Sequence, residues 1–341
     1  MTGSGAGDRL RRYCLHLTAS GQPARLVRTG PAQPTAVGLG QPATMAPHLA
    51  GLLFPVCPAA HAGAALAAIE AAAQITLSPG QHAARQLLVL AEAVAGGIWR
   101  AALTWPPLVG DTPDPAPVKQ ARACVARLPA ALYRGSWRRP GGARLAVDAA
   151  ALGAAVEALA EAAAWVAAGP RPVAGHAPWT EVVADPTTDP ITDSASEPEE
   201  LCWEETPYAR HGGSDRFAAQ RDDLQAMTRR LRRAAGAVLD ARTDLPSPWS
   251  ETTTGQGLGV VPTARGRLRH VMALRNGRMT AWRADAPTDW NFAPRGPVVR
   301  AAATLGPGAD REAGLLVSAF DPCAPCTVAN AHISSTEIAH A

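Results

Sequence analysis

Three runs dominated by Ala, Leu and Val, each closed by proline or glycine, constrain this fold more than any other feature: Ala62 to Ile75, Gln81 to Thr104 and Val147 to Ala168. Alanine forfeits no side-chain freedom in a helix, and the apolar residues recur at helical spacing, so each run predicts a helix with a buried face. The break Ser78-Pro79-Gly80 makes the first two a helix pair, and Gly169-Pro170 ends the third. Pro106 to Pro117 reads as a connection. Asp215 to Arg242 reads as a charged amphipathic helix whose Arg229, Arg230, Arg232 and Arg233 form a solvated face. β-like runs flank Gly21-Gln22-Pro23 between Tyr13 and Arg28, and Asn276-Gly277 between Arg267 and Arg283, where both turn residues tolerate positive φ. The expected class is mainly α with small β elements near both chain ends, in a single domain over residues 1–341. Asp185 to Glu200, rich in Pro, Thr, Ser and acidic residues, buries little, and a mobile loop is expected at 185–200.

A formal charge of +3 over 341 residues, with arginines scattered rather than striped among aromatics, argues against a nucleic-acid partner. No secretory leader opens the chain and no run approaches an uncharged membrane span, so a cytoplasmic protein without a membrane partner is expected. Six cysteines in a chain of this length do not make a disulfide framework. In a reducing compartment they point to metal binding or thiol chemistry.

Three segments carry residues able to do chemistry. Asp321-Pro322-Cys323-Ala324-Pro325-Cys326 separates two thiols by two residues, a spacing that suits one soft metal or a redox disulfide and that equally describes two unligated thiols. The sequence offers neither the βαβ context of a thioredoxin-like site nor the second pair of a structural zinc site. Phe54-Pro55-Val56-Cys57-Pro58-Ala59-Ala60-His61 sets Cys57 and His61 on one face if a helix starts at Cys57. A buried thiol and a satisfied histidine are the commoner outcome of that spacing. Gly257-Leu258-Gly259 leads into Thr263-Ala264-Arg265-Gly266-Arg267-Leu268-Arg269-His270 and then Pro287-Thr288-Asp289-Trp290-Asn291. Without the Lys-Ser/Thr of a phosphate loop, and with a hairpin following, these glycines do not predict nucleotide binding.

In order and content these segments resemble the nickel-iron hydrogenase large subunit. In that family a CGxCxxxH element precedes a long helix pair, ARGxLxH enters a hairpin, PTxWN follows, and DPCxxC lies near the C-terminus. The matching stretches are Phe54 to His61, Ala264 to His270, Pro287 to Asn291 and Asp321 to Cys326, and the resemblance covers roughly residues 50–108 and 255–328. It implies a nickel-iron hydrogenase large-subunit-like fold in which Cys57, Cys323 and Cys326 converge as metal ligands, Cys57 and Cys326 at the positions that bridge nickel and iron. It implies further that Arg265 and Thr288 face the diatomic ligands of the iron, that Asp321 pairs with Arg265, and that His61 lies close to a Cys57 or Cys326 sulfur.

The departures carry as much. Phe54 stands where the first cysteine of the family's set would be, no RxEGH segment with its proton-transferring glutamate lies between Arg9 and Arg28, and Val328 replaces the histidine after the last CxxC. Nickel needs a thiolate-rich site, so no complete nickel site is expected, whereas iron binding is retained. The pattern most resembles HupK/HoxV-type accessory proteins, which implies a hydrogenase maturation scaffold or chaperone and not an enzyme. Such a protein carries the Fe(CN)2CO fragment transiently, takes it from a HypC-type small chaperone and helps insert it into the apo hydrogenase large subunit. The alternative is a divergent nickel-iron hydrogenase large subunit with residual activity.

Overall fold

The structure, a computed structural model, describes residues 11–18, 24–168, 206–211, 215–241, 245–330 and 333–336; the loop expected at 185–200 lies outside them. Near the N-terminus β1 (Arg12–Leu17) and β2 (Arg25–Thr29) pair as the expected antiparallel hairpin. After α1 (Ala46–Leu53), the first two alanine-rich runs fold as α2 (Pro58–Ala72) and α3 (Pro79–Trp99), with Ser78 Oγ accepting from the Gln81 N–H at 3.2 Å to start the latter. The chain continues through a π-turn at Arg100–Thr104 into α4 (Trp105–Leu108), so the segment read as a connection begins inside a helix. Then follow α5 (Ala116–Leu132), the two-residue strands β3 (Tyr133–Arg134) and β4 (Arg144–Leu145), α6 (Ala149–Ala168), α7 (Pro207–His211) and α8 (Arg216–Ala241). α6 and α8 match the third apolar run and the amphipathic helix.

α3, α5, α6 and α8 pack around Leu87, Val94, Leu128, Leu159 and Leu231. Each such leucine contributes roughly 2 kcal/mol of transfer free energy. Arg85 of α3 grips Glu70 of α2 through two hydrogen bonds of 2.6 and 2.9 Å, which ties the helix pair together. Pro79–Leu108 and Ala149–Val166 are long and apolar enough to cross a membrane by length and composition, but the first carries Arg85, Glu92 and Arg100 and the second Glu157 and Glu161, so neither is an uncharged span. Both contribute to the helical core, and a helix contacted on several sides must be apolar over most of its surface.

β5 (Gly255–Thr263), β6 (Gly266–Arg275) and β7 (Arg278–Asp285) form an antiparallel meander. Its second turn is Asn276 at φ 49° and Gly277 at φ 68°, as the sequence predicts. The β5 glycines serve packing. A Cβ on Gly255, Gly257 or Gly259 would lie 2.4, 2.0 or 2.1 Å from the carbonyl oxygens of Ala72, Ala68 and Ala64. Every second residue of the strand thus meets every fourth residue of α2, backbone on backbone, which accounts for the pattern without a phosphate. Beyond the meander lie α9 (Pro287–Asn291), α10 (Pro297–Ala302), α11 (Asp310–Phe320), β8 (Cys326–Asn330) and β9 (Ile333–Thr336). β8 pairs in parallel with β1, Tyr13 opposite Cys326, so elements from both ends of the chain share one sheet of order β2-β1-β8-β9.

Candidate functional site

A cavity of about 770 Å³ lies where the loop before α2, the C-terminal half of α3, the β5–β6 turn, α9 and the segment after α11 meet. Cys57 is the N-cap residue of α2, with Pro58 in the first helical position. Arg265 sits in the β5–β6 turn, where its N–H is held by Thr263 Oγ1 at 3.2 Å. Asp321 ends α11 in the left-handed conformation, φ 49°, which aspartate tolerates, and the chain there turns out of the helix. Arg265 Nε reaches the Asp321 carbonyl oxygen at 2.9 Å and Oδ2 at 3.0 Å, and Nη2 reaches Oδ1 at 3.3 Å. The implied ion pair is present.

Cys57 and Cys323 are free, half-buried thiols hydrogen-bonded to each other. Thr288 Oγ1 accepts from the Cys323 N–H at 2.9 Å and lies 3.1 Å from Cys323 Sγ, to which its hydroxyl donates. The hydrogen bond from Cys57, aided by Arg265 and Thr288 and opposed by burial, brings the Cys323 thiol down to about 7. The same bond, together with burial, pushes Cys57 well above the ordinary thiol range. Above pH 7 the pair therefore shares one proton, with the thiolate on Cys323.

One implied placement needs correction. Cys326 does not join the other sulfurs. As the first residue of β8 it is fully buried among Tyr13, Leu15 and Phe320, with Sγ 3.8 Å from the Thr327 carbonyl oxygen, and burial pushes its thiol up to about 12. Strand pairing dictates which face of the sheet it takes. Among the described residues no three His, Cys, Asp or Glu side chains stand together so as to hold a metal ion. His61 follows Cys57 by one turn of α2, its N–H on the Cys57 carbonyl at 3.1 Å, and both line the cavity; among the described residues no hydrogen bond joins its ring to a sulfur. Its ring stacks on Phe54, centroids 3.8 Å apart and planes 7° from parallel, and Nδ1 lies 3.0 Å from His270 Nε2.

That histidine pair has a fixed proton order. Trp282 Nε1 can only donate, and it lies 3.1 Å from His270 Nδ1, so that nitrogen accepts. His270 Nε2 then carries the proton and donates to His61 Nδ1. Burial holds both rings neutral, His61 well below its usual range and His270 down to about 3. The remaining proton of His61 is on Nε2, which has no partner among the described residues, and the residue lines the cavity.

Sequence reasoning missed Glu92 and Arg100. Glu92 accepts from the Ala59 and Ala60 N–H groups at 2.6 and 3.0 Å, satisfying the open end of α2 from the side, and burial raises its carboxyl to about 7. Arg100 Nη1 lies 2.8 Å from Asp321 Oδ2. The signal was available: from Gln81 to Thr104 the charged residues are Arg85, Glu92 and Arg100, and a charge in so apolar a helix must find a buried partner. Arg11 and the Tyr13 hydroxyl, at 3.3 Å for the latter, meet Asp289 at the same cavity.

No protein-family profile matches the chain. It is 29% identical over 333 residues to the hydrogenase expression/formation protein HupK of Rhizobium leguminosarum bv. viciae, covering 85% of this chain and 87% of that protein. To the hydrogenase expression/formation protein HupV of Azotobacter chroococcum mcd 1 it is 31% identical over 320 residues, covering 84% and 87%. The chain belongs to the hydrogenase expression/formation protein family. The fold of this family member is that of nickel-iron hydrogenase large subunits. Against a variant of the [NiFeSe] hydrogenase from Desulfovibrio vulgaris Hildenborough the TM-score is 0.68 at 14% identity, over 94% of this chain and 99% of that one. Of the residues that the resemblance singled out, the cavity presents Cys57 and Cys323; Phe54 is stacked on His61, and Cys326 lies in the apolar cluster.

Proposed function

We propose that this hydrogenase expression/formation protein is a maturation scaffold without turnover of its own, and that it holds the Fe(CN)2CO fragment as transient cargo on Cys57 and Cys323. The observation that carries this reading is the hydrogen-bonded thiol pair set beside Arg265 and Thr288 in a cavity whose described lining holds Cys57 and Cys323 but not Cys326. Two soft thiolates suit ferrous iron, and cyanide nitrogens are strong acceptors. Arg265, oriented by Asp321, and His61 Nε2–H supply donors at the same cavity, while the Thr288 hydroxyl holds the Cys323 sulfur. The iron stays ferrous and the fragment moves intact. The Cys57 proton leaves when the sulfur takes up iron and returns on release.

In this reading the fragment arrives from a HypC-type small chaperone and passes to the apo hydrogenase large subunit, in the cytoplasm. The names of the HupK and HupV relatives support a part in hydrogenase formation. Infrared spectroscopy tests the cargo, because bound CN and CO absorb where protein does not. Protein isolated from cells with the maturation machinery should carry these bands, and Cys57→Ala or Cys323→Ala should lose them while Cys14→Ala keeps them. Full-strength bands in the Cys57/Cys323 double variant, or none in the wild type, overturn the reading. A divergent large subunit with residual activity has the fold in its favour. Dye-linked hydrogen uptake by the purified protein with a small-subunit partner would support that alternative, and none is expected.

A further inference from the structure

Asp321 is served twice. Arg265 already meets both of its carboxylate oxygens and its carbonyl. Arg100 nevertheless brings Nη1 to 2.8 Å from Oδ2, although neither that nitrogen nor its Nε makes a hydrogen bond among the described residues. The residue is 5% exposed and lines the cavity. A buried guanidinium in excess of its counter-charge costs several kcal/mol, and neutralising Asp321 does not require a second one.

Two further observations point the same way. The backbone of Arg100 opens the π-turn Arg100–Thr104, an irregularity of a kind frequent at functional sites. The cavity is also cationic: Arg11, Arg100, Arg122 and Arg265 line it against Glu92, Asp289 and Asp321, four against three at most, with Glu92 half-protonated near pH 7. Among the described lining residues no further carboxylate meets the surplus guanidinium.

We infer that Arg100 is a second ligand-binding guanidinium, forming with Arg265 a clamp for a small anion, or an anionic metal complex, that carries terminal acceptor atoms. Resting on the cargo reading above, these atoms are the cyanide nitrogens. Glu92 and Arg100 then frame the α3 wall of the cavity, the carboxyl holding the end of α2 and the guanidinium holding the ligand.

Two measurements separate this inference from the reading it deepens. The first uses potassium thiocyanate with the purified chain, since its CN stretch reports binding of a terminal nitrogen. The wild type should bind it with a shifted band, and Arg100→Leu should weaken binding roughly ten- to a hundredfold, the loss of one charge-assisted hydrogen bond. Arg100→Lys, which keeps the charge if the leucine variant fails to fold, should retain binding with the band displaced. No binding by the wild type, or equal binding by Arg100→Leu, overturns the inference. The second compares CN bands of protein loaded in cells, which should move in Arg100→Leu and Arg100→Lys. Wild-type bands reproduced unshifted in both variants sink Arg100 as a ligand contact and leave the cargo reading standing. Arg100-dependent thiocyanate binding without any CN or CO bands in loaded wild type supports the anion site and sinks the cargo reading.

Discussion

The cavity wall and the terminal sheet treat two cysteines of one short motif in opposite ways. Cys323 lies in a loop, partly exposed, with its N–H on Thr288 and its thiol brought to about 7 by the hydrogen bond from Cys57. Cys326 lies in β8, fully buried, with its thiol driven to about 12 by that burial. A loop residue faces where its hydrogen bonds hold it, whereas a strand residue faces where the sheet register puts it. Sulfurs separated by two intervening residues in a chain need not share a metal.

The largest expected effect would break this contrast outright. Cys57→Ala or Cys323→Ala should abolish hydrogen uptake by cells that depend on this protein, with unprocessed large subunit accumulating on gels, while Cys326→Ala leaves uptake near wild type. If a folded Cys326→Ala protein is as defective as the other two, the two regions act as one site.

Thiol reactivity sharpens the contrast next. At pH 7 the thiolate fraction favours Cys323 over Cys326 by about five orders of magnitude, and the weaker nucleophilicity of the more acidic thiol removes about half of that. Iodoacetamide should therefore label Cys323 faster by at least two orders of magnitude, read by peptide mass spectrometry. Because the Cys323 thiol is lowered to about 7, its labelling should fall away below that pH and level off above it.

Stability should change more gently. Gly257→Ala places a Cβ 2.0 Å from the Ala68 carbonyl, a backbone atom that cannot step aside. It should cost about 3 kcal/mol in urea unfolding, the upper end for overpacking, and displace the helix that carries Cys57. Gly153→Ala, with nothing within 4 Å of its Cβ, should instead stabilise by about 0.5–1 kcal/mol. Cys326→Ala should cost roughly 1–2 kcal/mol for the lost packing, in a region whose sole task on this account is to hold the sheet.

The smallest effect concerns the histidine pair. Trp282→Phe removes the donor that fixes His270 Nδ1 as an acceptor, a change of about 1 kcal/mol. Nitrogen-15 spectra should show His61 protonated at Nε2 alone in the wild type and a mixture of tautomers in the variant. Protonation of His61 at Nδ1 in the wild type would remove its role as a donor to the cavity.

Much of this was legible in the residues themselves. The alanine-rich runs dictate helices because alanine and leucine lose little on entering one, and Asn276-Gly277 dictates its turn because few other residues accept positive φ twice. Order and spacing of the motif segments brought Arg265, Asp321, Thr288, Cys57 and Cys323 to one cavity. Which way Cys326 faces was decided only by the pairing of β8 with β1, some three hundred residues earlier in the chain. The partner of His61 was likewise decided by β6 and β7, which supply His270 and Trp282. Glu92 and Arg100 were visible as charges in an apolar helix, but their partners at the end of α2 and at Asp321 came from packing. Local sequence determines what a segment prefers to be; contacts between distant segments decide what each side chain faces, because those contacts exist only once the whole chain has closed around them.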